Sequence, residues 1–232
     1  MASELQGRTV VVTGGTGALG RAVVDRLLRD GARPVVTYRI DREAAEAPWG
    51  DRVCLSRLDL ADERAATEFY AGIPALWASI HLAGAFAMAS VADTSAADFR
   101  KMFDVNAMTC FLCCREAVRR MRQTGGGAGG RVVNVSARPA VVPAGGMIAY
   151  STSKAAVASI TQSLAEEVKG DGILVNAVLP SLMDTPANRA AMPKADYATW
   201  PKVEQVAETI AFLASPANAL TSGALVPVYG KA

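Results

Sequence analysis

From Arg8 to Tyr229, short apolar runs alternate with stretches whose apolar residues recur at helical spacing. This alternation narrows the choice of fold more than any composition does. Parallel neighbouring strands need a crossover between them, and crossover helices cover the faces of the sheet. The runs predict strands at Arg8–Thr13, Pro34–Tyr38, Arg52–Leu58, Leu76–Leu82, Arg131–Ser136, Ile173–Leu179 and Leu225–Tyr229. Helical patterns fall at Arg21–Asp30, Ala61–Ala71, Ser95–Gln123 with a break near Val105, Ala149–Lys169 and Val203–Ala214. The expected class is α/β, a doubly wound parallel sheet of about seven strands with helices on both faces. No boundary or repeat divides the chain, so residues 1–232 are read as one domain. The run Gly125–Gly130 is read as a mobile surface connection.

Hydrophobic residues make up 51% of the 232, enough for a core without a disulfide or metal staple. The 24 basic and 22 acidic residues leave a net charge of +2, which argues against nucleic-acid binding and against a polybasic membrane surface. Met1–Arg8 lacks the apolar core of a signal peptide. The apolar stretch around Ser79–Ala92 is too short to span a bilayer. A soluble, cytoplasmic protein with no membrane partner is expected. Of the four cysteines, Cys110, Cys113 and Cys114 cluster, but the sole histidine is His81 and no second ligand cluster accompanies them. They read as small buried helix residues in a reducing compartment, with no metal.

Two stretches carry chemistry. Thr13–Gly20 reads T-G-G-T-G-A-L-G, with G-x-G-x-x-G at Gly15, Gly17 and Gly20, between the first strand and the first helix. Glycines there let backbone approach a pyrophosphate, and the helix N-terminus supplies N–H donors and a positive dipole. At the end of the second strand, Tyr38 and Arg39 should meet the adenosine ribose. No acid appears before Asp41, and Arg39 can pair with a 2′-phosphate, so NADP(H) is favoured over NAD(H). Tyr150 and Lys154 are spaced to share one helix face. A phenol ionises near pH 10, and a neighbouring ammonium should lower that value, making the pair an acid/base unit.

With both stretches in view, the chain resembles the short-chain dehydrogenase/reductase family over essentially its whole length. The likeness rests on Thr13–Gly20, Asp59-Leu60, His81-Leu82-Ala83-Gly84, Asn106, Asn134-Val135-Ser136, Tyr150–Lys154 and Pro180–Thr185. The resemblance implies a Rossmann-like fold. It implies cofactor contacts at Gly14, Thr16, Gly17, Ala18, Leu19 and Gly20, at Asp59 and Leu60 for adenine, and at Ala83 and Gly84. Pro180 to Thr185 would hold the nicotinamide amide. Tyr150 would donate the proton, Lys154 would lower its pKa and bind the nicotinamide ribose, and Asn106 would support a proton-relay water.

Three positions depart from the family pattern. Ala18 replaces a glycine, Ser181 follows Pro180 where glycine is usual, and Ala137 stands where the family serine lies, thirteen residues before Tyr150. Ser136 is adjacent, but neighbouring strand residues face opposite ways, so it serves only if a bulge re-aims it. The dihydropteridine reductases share the missing serine, and Pro143–Tyr150 and Val178–Trp200 look like that branch. Asn106, Arg39 and Phe86, the last in place of a stacking Trp, fit it less well.

The leading expectation is an NADP(H)-dependent oxidoreductase that reduces a small carbonyl or conjugated imine or quinonoid, pterin-like compound. The alternatives are a conventional ketone reductase or alcohol dehydrogenase using Ser136, and a non-catalytic NADP(H)-binding sensor or scaffold. Phe86, Met88, Met147, Met183, Met192 and Trp200 are candidate pocket walls, with Asp184 and Arg189 as polar candidates. Small and apolar residues on Ala107–Met121 and Ser151–Lys169 suggest a homodimer or homotetramer, as the family usually forms.

Overall fold

A computed structural model describes residues 5–125, 127 and 129–231. Seven strands form one sheet: β1 (Thr9–Thr13), β2 (Arg33–Tyr38), β3 (Cys54–Arg57), β4 (Ala78–His81), β5 (Gly130–Val135), β6 (Ile173–Pro180) and β7 (Leu225–Val228). Their order is β3-β2-β1-β4-β5-β6-β7, and every pairing is parallel. The order reverses between β1 and β4, the switch point where such sheets bind ligands beyond their carboxyl ends. The α/β, Rossmann-like expectation is borne out.

The helices are α1 (Ala18–Arg29), α2 (Asp41–Ala45), α3 (Glu63–Ala71), α4 (Ala96–Phe103), α5 (Thr109–Thr124), α6 (Ile148–Val168), α7 (Pro186–Ala191) and α8 (Val203–Ala214). Alternation along β1 sorts two cores. Val10 and Val12 pack with α1 and α8, beside Val36, Ile80, Val133 and Val178. Val11 faces the other way and joins α3, α5 and α6 through Tyr70, Cys113, Val157 and Val175. Each fully buried Val or Leu contributes about 2 kcal/mol by leaving water. No helix among the described residues is long and apolar enough to cross a membrane.

The break expected near Val105 is a π-turn, Asp104–Met108, joining α4 to α5. Such turns widen a helix locally and re-aim side chains. Here Asn106 is turned inward and is buried. The short helices α2 and α7 were not legible as apolar patterns; both lie at the carboxyl ends of strands and bury no residue.

The glycine-rich run needs a correction. Residues 126 and 128 lie outside the described residues, but Gly125, Gly129 and Gly130 are packing positions rather than loose linker. A Cβ at Gly125 would lie 2.6 Å from the Met121 carbonyl oxygen, and one at Gly130 would lie 2.5 Å from Met121 Sδ. Gly129 has φ +73° and its Cα abuts Gly172. The run lets α5 turn tightly into β5. Residues 1–4, part of the stretch weighed as a signal peptide, also lie outside the described residues.

Gly20 is demanded by the chain itself: a Cβ there would sit 2.5 Å from Gly14 O and 2.5 Å from Gly15 Cα, both backbone atoms. Gly20→Ala is therefore expected to lower unfolding stability by about 2 kcal/mol, read by chemical denaturation.

Candidate active site

The switch point is built from threonines and glycines. Thr13 Oγ1 accepts from the Leu82 and Ala83 amides at 3.1 and 3.2 Å, tying β1 to the loop after β4. The Gly14 amide donates to Thr37 Oγ1 and the Gly15 amide to Thr37 O. Gly14 has φ +64° and lies against Ala83, while a Cβ at Gly15 would meet Val36 Cγ1 at 2.7 Å. Gly17 differs. A Cβ there would touch only Gly14 O, at an ordinary 3.5 Å, so no packing of the chain requires glycine. Gly17 caps α1 with no side-chain acceptor, and the first turn carries no acid. This leaves amide donors and a positive helix end facing open space, which is what a pyrophosphate needs. The residues present therefore fit a dinucleotide.

Ala18 begins α1 with negative φ, since no non-glycine among the described residues has φ above zero, so its departure from glycine costs no strain. Leu19 and Thr16 are buried. Thr16 Oγ1 donates to Glu43 Oε2 at 2.9 Å, while Arg21 donates to the carbonyls of Thr16, Glu43 and Glu46. This strap from α2 across the glycine turn was missed in the sequence, because neither Arg21 nor Glu43 belongs to a motif.

Arg39 and Asp59 lie together after β2 and β3, with Arg39 Nη2 3.6 Å from Asp59 Oδ2. Both are more than half exposed, so the pair is worth under about 1 kcal/mol and yields readily to a stronger anion. Tyr38 ends β2, half-buried, and Leu60 is buried beneath the Asp59 turn.

The acid/base pair lies at the start of α6. Lys154 is 7% exposed, and its Nζ donates to Val135 O at 2.9 Å. Burial pulls this lysine down to about 8. Tyr150 is half-buried beneath Phe86, whose ring meets it edge-on at 4.9 Å, and burial pushes the phenol up to about 12. The expectation of a lowered phenol is thus reversed. Lys154 Nζ is held at a strand carbonyl, 6.0 Å from the Tyr150 ring centroid, and the cost of burying a phenolate dominates.

Gly84 and Asn106 frame the pair. A Cβ on Gly84 would lie 2.5 Å from Asn106 Oδ1, so glycine is what admits the Asn106 side chain here, with Lys154 Nζ in ordinary contact at 3.4 Å. Asn106 Oδ1 accepts from the Ala85 amide, and its Nδ2 donates to Ala85 O and Ser153 Oγ. Ser153 Oγ in turn donates to Tyr150 O. The Asn106 side chain fixes the Ala83–Ala85 loop against the first turn of α6, which makes it a positioning group. Its side-chain amide is committed to protein partners.

Ser136 also needs correcting. It is 2% exposed, and its Oγ donates to Lys154 O at 2.7 Å. The Ser136 amide stays in register with Val178 O, so no bulge re-aims the side chain toward Tyr150. Ala137 follows in extended backbone and supplies no hydroxyl.

After β6, Ser181 Oγ donates to Tyr229 O, anchoring Pro180–Thr185 to the end of β7. Thr185 Oγ1 caps α7 by accepting from the Asn188 amide. Asp184 and Arg189 form a two-pronged pair at 2.6 and 2.8 Å, so they serve each other. Phe86, Met88 and Met192 are exposed, as pocket walls require, whereas Trp200 is buried against Tyr197 and Met183 packs on the core. Met147 is half-buried at the start of α6, where it bridges to Ala89. A cleft of about 650 Å³ lies beside the pair, between Val91, Val141, Pro143, Ile148 and Ser151; neither Tyr150 nor Lys154 lines it.

The fold does bring His81 to the cysteines: one atom each from His81, Cys110 and Cys114 falls within 4.8 Å. Their polar groups are already used. His81 Nδ1 is 2.7 Å from Asn134 Oδ1 and Nε2 is 2.8 Å from Ser79 Oγ, while Asn134 Nδ2 donates to Thr161 Oγ1. The three helix cysteines are buried as expected; Cys54 is exposed.

A family pattern described as short chain dehydrogenase matches residues 8–196. The chain belongs to this family. It is 34% identical to cis-4-hydroxycyclohexanecarboxylate dehydrogenase of Sinomonas cyclohexanicum, covering 96% of this chain and 95% of that one. It is 29% identical to an NADPH-dependent aldehyde reductase-like protein, chloroplastic, of Arabidopsis thaliana, covering 97% and 94%. A solved dehydrogenase/reductase from Sinorhizobium meliloti 1021 superposes with a TM-score of 0.86 at 29% identity, covering 99% and 96%. The chain is therefore an oxidoreductase of a nicotinamide-using family.

Two predictions follow from the site's geometry. Gly17→Ala should change unfolding stability by under about 1 kcal/mol, because its Cβ has room, yet weaken NADPH binding at least tenfold in a fluorescence titration. Lys154 has a folded pKa near 8, below its ordinary 10.5. The unfolded chain therefore binds more protons between those values, and stability rises with pH across that window. Lys154→Met should be more stable than the parent at pH 7, by at most about 3 kcal/mol, since 2.5 units at 1.36 kcal/mol each bound the relief. In denaturation midpoints that gap should close by pH 10.5.

Proposed function

We propose that the chain is an NADP(H)-dependent reductase of small carbonyl or conjugated imine or quinonoid compounds, with Tyr150 as proton donor. The observation that carries this reading is Tyr150 beside the buried Lys154 on one face of α6, with Gly84 and the uncapped start of α1 at the same end of the sheet. A neutral phenol carries the proton that reduction of a carbonyl or imine must deliver. Lys154, closer to neutrality, can exchange protons in the same pH range.

Bound nicotinamide supplies the hydride. The chain's own residues do the rest. The uncapped start of α1 receives phosphate, Arg39 gives up its weak pairing with Asp59 for a 2′-phosphate, and Gly84 leaves room beside Lys154. The Arabidopsis relative, NADPH-dependent by name, supports the cofactor preference. With Ser136 committed to a backbone carbonyl and Ala137 beside it, no hydroxyl from this strand end polarises a substrate oxygen. That favours electron-poor substrates, and the exposed Phe86 ring against Tyr150 offers a planar molecule a wall. The same reading carries the expectations of a homodimer or homotetramer and of a cytoplasmic location.

The test is oxidation of NADPH and NADH with a quinonoid dihydropterin and a panel of aldehydes, ketones and quinones. NADPH is expected to be preferred at least tenfold, and Tyr150→Phe to lower kcat by a hundredfold or more. Undiminished turnover in Tyr150→Phe would remove the proton-donor assignment, and NADH preference would remove the cofactor assignment.

A further inference from the structure

Among the described residues, two buried side-chain atoms lack a hydrogen-bond partner, and one is Arg138 Nε. An unpaired buried donor costs about 1–3 kcal/mol, so its persistence calls for a reason. Arg138 opens the single 3₁₀ turn Arg138–Ala140, directly after Ala137 at the carboxyl end of β5. Its guanidinium lies 5.4 Å from the Tyr229 ring centroid, past the end of β7. The Tyr229 carbonyl is the acceptor that anchors Ser181 at the start of the segment after β6. Arg138 thus stands among the carboxyl ends of β5, β6 and β7, on the ligand side of the sheet.

No acid among the described residues pairs with it. The ion pairs among the described residues do not include Arg138, and the neighbouring segment's Asp184 is held by both prongs of Arg189. The remaining arginines with buried polar groups are matched: Arg131, for example, donates to the carbonyls of Asn218 and Gly130. Tyr229 offers the face of a ring, which steadies a guanidinium without satisfying its N–H groups.

We propose that Arg138 anchors a carboxylate on the substrate. The inference rests on the reductase reading above and narrows its substrate class to compounds bearing both a reducible group and a carboxylate. Nε is enclosed, but the two Nη groups are not and take no partner among the described residues, and their N–H groups form a parallel fork that matches the two oxygens of a carboxylate. Placed beside the serine-less position, this fork fixes the substrate at a distance from the reacting atom. It orients the molecule where Ala137 gives no contact. Arg138 is then a specificity residue, and hydride delivery and proton donation remain with the nicotinamide and Tyr150.

The experiment compares 4-carboxybenzaldehyde with benzaldehyde, by NADPH oxidation and by calorimetric titration of the NADPH-loaded Tyr150→Phe variant. The expected result is a preference for the carboxylate of at least tenfold in kcat/KM, expressed in KM, and in Kd. In Arg138→Gln that ratio should fall to about one, and in Arg138→Lys part of it should return. A parent protein with no carboxylate preference in binding, or an Arg138→Gln variant that weakens both aldehydes equally, overturns the proposal. Failure of the reductase reading shows separately, as no NADPH oxidation by the parent with either aldehyde while the binding ratio still reports on Arg138.

Discussion

The site depends on keeping one ammonium out of water. Lys154 sits in the second turn of α6 with its Nζ on the Val135 carbonyl, packed close to Gly84. The missing Cβ of Gly84 admits Asn106, which is turned inward by a π-turn and locks the Ala83–Ala85 loop. One glycine, one widened helical turn and one buried cation are thus a single packing solution. Its electrostatic consequence is a lysine near 8 beside a phenol near 12, both set by burial.

The glycines of the nucleotide turn divide by physical cause. Gly14 needs positive φ and lies against Ala83, Gly15 avoids Val36, and Gly20 avoids the backbone of Gly14 and Gly15. Gly17 alone is free of any such demand, and its open side faces the uncapped end of α1. A glycine that the fold does not require points to a ligand more directly than three that it does. The strap of Arg21 and Glu43 ties this turn to α2 through three hydrogen bonds.

Much of this was readable from residue order. The strand runs are β-branched and bounded by glycine, so parallel pairing and helix cover followed from local pattern alone. The break near Val105 was visible because the apolar spacing shifts there. The Tyr150–Lys154 spacing and the Thr13–Gly20 turn were legible because both are local: four residues on a helix, eight across one junction. The short helices α2 and α7 escaped because neither buries a residue, so neither carries periodicity. Arg21 and Glu43 escaped because their partnership spans a loop.

The sequence by itself determined the fold class, the position of the cofactor turn and the absence of a hydroxyl at Ala137, since each is a matter of nearest neighbours in the chain. The tertiary structure alone decided the protonation of the acid/base pair, the fate of Ser136 and the isolation of Arg138. A sequence predicted that an ammonium four residues away would lower a phenol. Burial raised it instead, and the groups packed against the pair come from distant stretches, Phe86 on Tyr150 and the Val135 carbonyl on Lys154. Charge and solvation are properties of the assembled site, and the linear order of residues does not contain them.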